Sequence, residues 1–126
     1  MRSYKTKRIY ISSVKIDYIY ENIKKVLDTS LLEIVGNKEE IRIVCIEQKA
    51  GKSIGEQYAI DSGLTVEYCS AYLFGLLKMS ATMLSRRIVK RCEYMLVFRD
   101  EDFSKLDSLF RYAVKHSVPI KMLDVT

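Results

Sequence analysis

The stretch around Gly51 combines residue types that bind anions. The apolar segment 41–46 is followed by the polar run Glu-Gln-Lys-Ala-Gly-Lys-Ser, and apolar residues resume at Ile54. A short loop that leads from a strand into a helix collects free N–H groups at the positive end of the helix dipole, and lysines add charge. We therefore predict that an anionic ligand contacts Lys49, Gly51, Lys52 and Ser53.

The same residues match parts of two nucleotide-binding motifs. Gly51-Lys52-Ser53 resembles the end of a Walker A loop, but that loop needs a glycine five residues earlier, where this chain has Ile46 inside the strand. Gly51 and Gly55 do not form a dinucleotide-binding fingerprint either. Two interpretations stay open: an anion site of another type, or glycines that only let the helix pack closely on the strand.

A second polar segment, Arg99-Asp100-Glu101-Asp102, follows the apolar run 93–98. Acids in this position could hold Mg²⁺, bind ribose hydroxyls or act as general acid and base. They are equally typical of the acidic first turn that stabilises a helix start. We assign Arg99 and Asp100 to the ligand, together with Ser12 and Ser13 at the end of the first predicted strand.

The predicted third helix adds a further candidate. Arg86 and Lys90 lie opposite its apolar stripe, and an arginine can bind phosphate through a bidentate fork, although a solvated helix face has the same composition. We assign Arg86 to the ligand.

Nucleophilic and metal chemistry find little support in the sequence. The only histidine, His116, precedes the last predicted strand at the opposite end of the sheet, so a Ser-His-acid triad is not expected. Cys45, Cys69 and Cys92 lack metal-binding spacing and are predicted to be buried, reduced thiols. We predict no catalytic residue, no metal and no cofactor.

The elements that must position these residues alternate between strands and helices. The patterns predict strands at 8–12, 41–46, 64–69, 93–98 and 118–125, and helices at 16–29, 51–62, 76–91 and after a capping box formed by Ser104 and Asp107. Gly63 is the predicted C-cap of the second helix. Crossovers of this length make strands parallel, so we predict one α/β domain over 1–126. It is a Rossmann-like three-layer sandwich with a mostly parallel five-stranded sheet, which binds ligands at the carboxyl ends of its strands.

Composition limits the classes of partner. Of the 126 residues, 48% are hydrophobic and 29% charged, which is typical of a globular domain, and the net charge of +5 favours anionic partners. No apolar run is long enough for a membrane span and no signal-peptide pattern is present, so we expect a soluble, cytoplasmic protein with no membrane partner. Tyr72, Phe74 and Leu76 suggest a self-interface, so we expect a homo-oligomer, either a dimer or a tetramer.

Several motifs follow the order of a known family. Segment 49–53 stands where a glycine motif belongs and is followed by the family-like segment 55–59. Ser85-Arg86-Arg87 stands at a basic motif, and 117–120 matches a closing strand. In this pattern the run from 8 to 125 resembles the small stand-alone proteins of the SLOG superfamily. These are Rossmann-like domains related to the DNA-processing protein Smf/DprA and to the Lonely guy phosphoribohydrolases.

The chain also departs from that family. Glu47-Gln48 replaces its paired glycines, Ser53 replaces its motif aspartate, and Ser85 replaces the asparagine of its basic motif. The Pro-Gly-Gly-x-Gly-Thr-x-x-Glu signature of the Lonely guy enzymes is absent between 98 and 110. The resemblance therefore covers the architecture and lacks the enzymatic motif.

The resemblance implies a site for nucleotides or nucleotide-derived molecules, often at an oligomer interface. Some SLOG domains sense ADP-ribose-type or cyclic nucleotide signals in antiviral defence. We expect non-catalytic sensing or sequestration of such a ligand, in defence or counter-defence. One alternative is a nucleotide N-glycosidic hydrolase that uses an acid from Glu47, Asp100, Glu101 or Asp102. The other is a DprA-like nucleic-acid binder that uses Lys78, Arg86, Arg87 and Lys90 and loses affinity steeply with salt.

Overall fold

A computed structural model of the chain describes residues 5–13, 19–34, 39–47, 51–73, 77–99 and 103–124. Strands and helices alternate along these ranges as the sequence predicts. The strands are β1 (Lys5–Ile11), β2 (Glu39–Ile46), β3 (Thr65–Cys69), β4 (Tyr72–Leu73), β5 (Leu77–Lys78), β6 (Tyr94–Phe98) and β7 (Ile120–Leu123). The helices are α1 (Tyr20–Ile34), α2 (Ile54–Ser62), α3 (Ala81–Arg91) and α4 (Phe103–Lys115).

Five of the strands form one sheet in the order β3-β2-β1-β6-β7, and every neighbouring pair is parallel. The chain builds outward from β1 in one direction and then from β6 in the other, so the strand order reverses between β1 and β6. In open α/β sheets this reversal leaves a crevice at the carboxyl ends of the two strands, where ligands bind. The prediction of a Rossmann-like sheet is confirmed, and the five strands are all parallel rather than mostly so.

Each face of the sheet carries two helices, which gives three layers. Ile9, Ile11 and Ile43 belong to the core under α1 and α2, whereas Tyr10 and Val44 belong to the core under α3 and α4. This assignment follows the two-residue alternation of side chains along a strand. Residues 95–98 of β6 are all buried, as expected for a central parallel strand that is covered on both faces.

Two helices end in the same hydrogen-bonded turn. After α2, Gly63 has φ +70° and donates to Ile60 O, while Leu64 N–H reaches back to Ala59 O at 2.8 Å. This is the Schellman motif, and the predicted C-cap role of Gly63 is confirmed. After α4 the same pair of bonds forms around Ser117, whose φ of +56° is unusual for a residue with a side chain.

Several predicted boundaries are wrong for identifiable reasons. Helix α2 begins at Ile54 rather than Gly51, because Gly51 has φ +75°, outside the helical region, and Ser53 is the N-cap. Helix α4 begins at Phe103, so Ser104 lies inside the helix rather than at its N-cap. Helix α1 runs from 20 to 34 and so continues five residues beyond its predicted end at 29.

The crossover from β3 to α3 holds a hairpin that the sequence did not predict. Helix α3 begins at Ala81 instead of 76, and β4 and β5 pair antiparallel before it. Of the predicted self-interface, Tyr72 lies in β4 and is partly buried, while Phe74 and Leu76 lie outside the described residues. No helix within the described ranges is long and apolar enough to cross a bilayer.

Candidate functional site

A pocket of about 360 Å³ lies at the carboxyl ends of β1 and β2, next to the point where the strand order reverses. Its walls come from the strand ends, from the start of α2, and from the segment that joins the hairpin to α3. The lining residues are Tyr10, Ile11, Ser13, Ile46, Ser53, Ala71, Lys78, Met79, Ala81 and Leu84. We call this the strand-end pocket.

The N-termini of two helices contribute to this pocket. The Ser53 hydroxyl accepts a hydrogen bond from Glu56 N–H at 3.1 Å, and the Ser80 hydroxyl accepts one from Met83 N–H at 3.2 Å. In each helix the two N–H groups before the capped one have no acceptor within the helix. Because Ser53 and Ala81 both line the pocket, two positive helix ends lie beside it, an arrangement that favours an anion.

Gly55 holds the start of α2 against the sheet. A Cβ placed on Gly55 would lie 3.1 Å from the Cβ of Cys45 and 3.3 Å from the Cβ of Ile11, so any larger residue would crowd the strands. Gly51 is different, since it has a positive φ and, among the described residues other than its chain neighbours, no atom lies within 4 Å of such a Cβ. The close-packing interpretation therefore applies to Gly55, while Gly51 serves the backbone turn that leads to Ser53.

The predicted ligand residues near α2 fall into two groups. Ser13 and Ser53 line the strand-end pocket. Gly51 and Lys52 are exposed in the loop that precedes Ser53, and Lys49 lies outside the described residues. The lysine that the structure places on the pocket wall is Lys78, which the sequence assigned only to the nucleic-acid alternative.

Ser12 and Arg99 make contacts within the fold instead. Ser12 is 1% exposed; its hydroxyl accepts a hydrogen bond from Phe98 N–H at 2.8 Å, and its own N–H donates to Leu96 O. These bonds join β1 to β6 at the strand-order reversal. Arg99 forms an exposed ion pair with Asp124 at 2.6 Å. Asp100 lies outside the described residues.

Arg86 belongs to a separate surface, on the outer side of α3. A groove of about 380 Å³ runs along this helix, and its lining residues are Met79, Met83, Arg86, Arg87, Lys90 and Arg91. We call it the basic groove. Arg87 and Arg91 also donate to the backbone carbonyls of Ser70 and Tyr68, at 3.3 and 3.2 Å. The structure therefore does not bring Arg86 together with the residues around Ser53.

The cysteines are buried, free thiols, as predicted. Burial raises the pKa of Cys45, although its thiol contacts Ser53 of the pocket wall, and burial also raises the pKa of Cys69. For Cys92, burial raises the pKa to about 12. A reactive cysteine has the opposite shift, because the thiolate is the nucleophile. These thiols are therefore packing groups.

Acids and possible metal ligands are sparse around the pocket. None of the described lining residues is an acid, and the described parts of the chain contain no cluster of three or more His, Cys, Asp or Glu side chains suited to a metal. Glu47 is exposed after β2, and Glu101 and Asp102 lie outside the described residues. His116 is exposed before β7, at the amino end of the sheet where the sequence placed it.

Sequence reasoning missed the pocket walls that come from distant parts of the chain. Tyr10, Met79, Ala81 and Leu84 look like ordinary core residues in the sequence, and only the fold places them around one cavity. The local signal that could have found the second helix start was Ser80, an N-cap residue directly before a helical run.

No family model and no curated protein matches this chain. The resemblance to the SLOG superfamily therefore stays a prediction that depends on motif order. For function, the geometry of the strand-end pocket and of the basic groove carries the argument.

Proposed function

We propose that this protein binds a nucleotide-derived anion in the strand-end pocket and does not transform it. The observation that carries the proposal is the meeting of two serine-capped helix starts and Lys78 around one cavity. Helix N-termini bind phosphate through unpaired N–H groups and the helix dipole, and a lysine adds a full charge. A phosphate group would sit between these two helix starts.

The remaining walls suit the rest of a nucleotide. Ile11, Ile46, Met79 and Leu84 give the pocket an apolar side, against which a base or a ribose could pack. Its volume of about 360 Å³ lies within the range of roughly 300–1,000 Å³ that is usual for small-molecule sites. The net charge of +5 favours the approach of an anion.

The biological setting of the proposal comes from the resemblance and the composition. We propose a cytoplasmic SLOG-type protein that senses or sequesters an ADP-ribose-type or cyclic nucleotide signal, in antiviral defence or counter-defence. A homo-oligomer, dimer or tetramer, is part of the same proposal. Size-exclusion chromatography with light scattering, with and without ligand, measures that state directly.

Calorimetric titration of the purified chain with AMP, ADP-ribose, cyclic AMP and cyclic di-AMP tests the binding proposal. We expect at least one of these to bind, and Lys78→Gln to weaken that binding about fivefold, because one charge-assisted contact is lost. Lys25→Gln, an exposed lysine of α1 that does not line the pocket, is the matched control and should bind normally. If the folded protein binds none of the four, the proposal is wrong. Release of free base during the titration would instead support the hydrolase alternative.

The basic groove supports a second candidate function, the binding of single-stranded nucleic acid. Its four cations and Lys78 have no carboxylate within ion-pairing distance among the described residues, and α3 contains no acid. Unpaired cations that line a groove are typical of surfaces that follow a phosphate backbone.

Fluorescence anisotropy with a labelled single-stranded 20-mer tests this second function. Four phosphate contacts predict a loss of affinity of about 50-fold between 50 and 200 mM salt. The double variant R86Q/K90Q should make the salt dependence shallower, because two of those contacts disappear. Absence of binding, or binding that does not respond to salt, would eliminate this function.

A further inference from the structure

The strand-end pocket has an inner recess of about 30 Å³, directed toward the core under α3 and α4. The recess and the pocket share the residues Tyr10, Ser13, Ile46, Ala81 and Leu84, so the recess adjoins the pocket. Its remaining lining comes from Ser85, Ile88 and Leu109. A volume of about 30 Å³ exceeds the roughly 10–15 Å³ that a single water molecule requires, so the recess has room for a small group.

Ser85 is the unusual residue of this recess. Four polar side chains are buried in the described part of the chain, and three of them have clear hydrogen bonds. Ser12 accepts from Phe98 N–H, Ser30 donates to Val26 O at 2.8 Å, and Ser53 caps α2. Ser85 is 3% exposed, and none of the hydrogen bonds among the described residues involves its hydroxyl. The hydroxyl is not among the fully enclosed polar atoms, so it keeps access to the recess that Ser85 lines.

A hydroxyl that opens into a recess and makes no hydrogen bond within the fold is free to bond to a group that enters the recess. Alanine would fill the same helical position and favour the helix. Ser85 faces a cavity that adjoins the proposed ligand site, and a serine hydroxyl can both donate and accept. A small polar group of a bound molecule is the partner that this geometry lacks.

We propose that Ser85 is a specificity-determining residue, which binds one small hydrogen-bonding substituent of the ligand inside the recess. This inference rests on the proposed function of the strand-end pocket. The substituent is a small polar group. In a nucleotide, a ribose hydroxyl or an exocyclic amine of the base fits that description.

The first test needs no ligand and compares melting temperatures of the purified variants. Ser85→Ala should melt at the same temperature as the parent or higher, because it removes an unpartnered hydroxyl. Ser12→Ala should melt lower by roughly 4 °C or more, because it leaves the Phe98 N–H buried without an acceptor. A clear fall in the melting temperature of Ser85→Ala would show a structural hydrogen bond and overturn the proposal.

The second test measures binding of AMP, 2′-deoxy-AMP, 3′-deoxy-AMP and purine riboside 5′-monophosphate by calorimetry. The parent should bind AMP about tenfold more tightly than it binds the one analogue that lacks the substituent held by Ser85. The identity of that analogue shows whether the substituent is a ribose hydroxyl or the exocyclic amine. Ser85→Ala should lose that preference, whereas Ser30→Ala, a buried helical serine away from the pocket, should keep it.

The outcomes separate the two proposals. The role of Ser85 is overturned if the parent binds all four probes equally, or if Ser85→Ala keeps the preference of the parent. The ligand site is unaffected by either result, and the recess then holds only a water. If the parent binds none of the four, the role of Ser85 in holding a substituent of an AMP-type ligand is wrong, whereas the ligand site itself stands or falls with the titration by ADP-ribose and the cyclic nucleotides.

Discussion

Replacement of Gly55 by alanine tests how closely α2 is held against the sheet. The added Cβ would lie 3.1 Å from the Cβ of Cys45 and 3.3 Å from that of Ile11, several tenths of an ångström inside the usual separation of about 3.5–4.0 Å. Both neighbouring atoms are bonded directly to the backbone of buried strands, so they cannot move without the sheet. Relief requires that the start of α2 move outward.

The size of the effect follows from two opposed contributions. Overpacking of a core usually destabilises a protein by about 1–3 kcal/mol. The gain in helix propensity from glycine to alanine offsets at most about 1 kcal/mol of this loss. A net loss of about 1–2 kcal/mol corresponds to a fall of roughly 4–8 °C in the melting temperature for a chain of this length.

Differential scanning calorimetry of Gly55→Ala beside Asp61→Ala measures this directly. Asp61 is exposed near the end of the same helix, so its replacement reports helix propensity without crowding and should leave the melting temperature unchanged or higher. A melting temperature for Gly55→Ala at or above the parent value would refute the argument that α2 is in tight contact with β1 and β2.

Two further predictions concern stability and reactivity. Ser117→Gly should raise the free energy of unfolding by about 0.5–1 kcal/mol in a urea titration, because Ser117 holds a φ of +56° that glycine adopts without strain. A lower free energy of unfolding would show that the serine side chain stabilises the fold by more than its backbone strain costs. Burial raises the pKa of Cys92 from its ordinary value of 9.0 to about 12. The thiol is then neutral at pH 8, and thiol reagents should modify it only after unfolding. Fast modification of Cys92 in the native protein at pH 8 would contradict this. Because the pKa of Cys92 is higher in the folded state than in the unfolded state, the contribution of this thiol to stability is fully present below pH 9.0 and is lost as the pH rises toward about 12.

The sequence predicts the fold well because its strongest signals are local. The unbroken apolar run of β6 requires a strand that is covered on both sides, and Gly63 ends α2 by its backbone conformation alone. The β4–β5 hairpin has two-residue strands, which are too short to show a periodic pattern, and this is why α3 was predicted to begin too early. Pro119 precedes β7, where its missing N–H does least harm to the sheet.

The site was only partly predictable, because its parts come from separate elements. Ser13 and Ser53 could be predicted, since Ser13 lies just after β1 and Ser53 directly precedes α2 in the loop that follows β2. Lys78 lies at the pocket only because the β4–β5 hairpin places it there. Ser85 lies at the recess because of the way α3 is oriented about its own axis. The charge of Arg86 was recognised correctly, but helical geometry places it on the outer side of α3.

The hydrogen bonds that Arg87 and Arg91 make to β3 have a consequence for assembly. β3 is an edge of the sheet, and the carbonyls of Tyr68 and Ser70 are the groups to which another strand would add. A neighbouring chain that extended the sheet here would first have to displace both guanidinium groups. Growth of the sheet from copy to copy is therefore opposed at this edge.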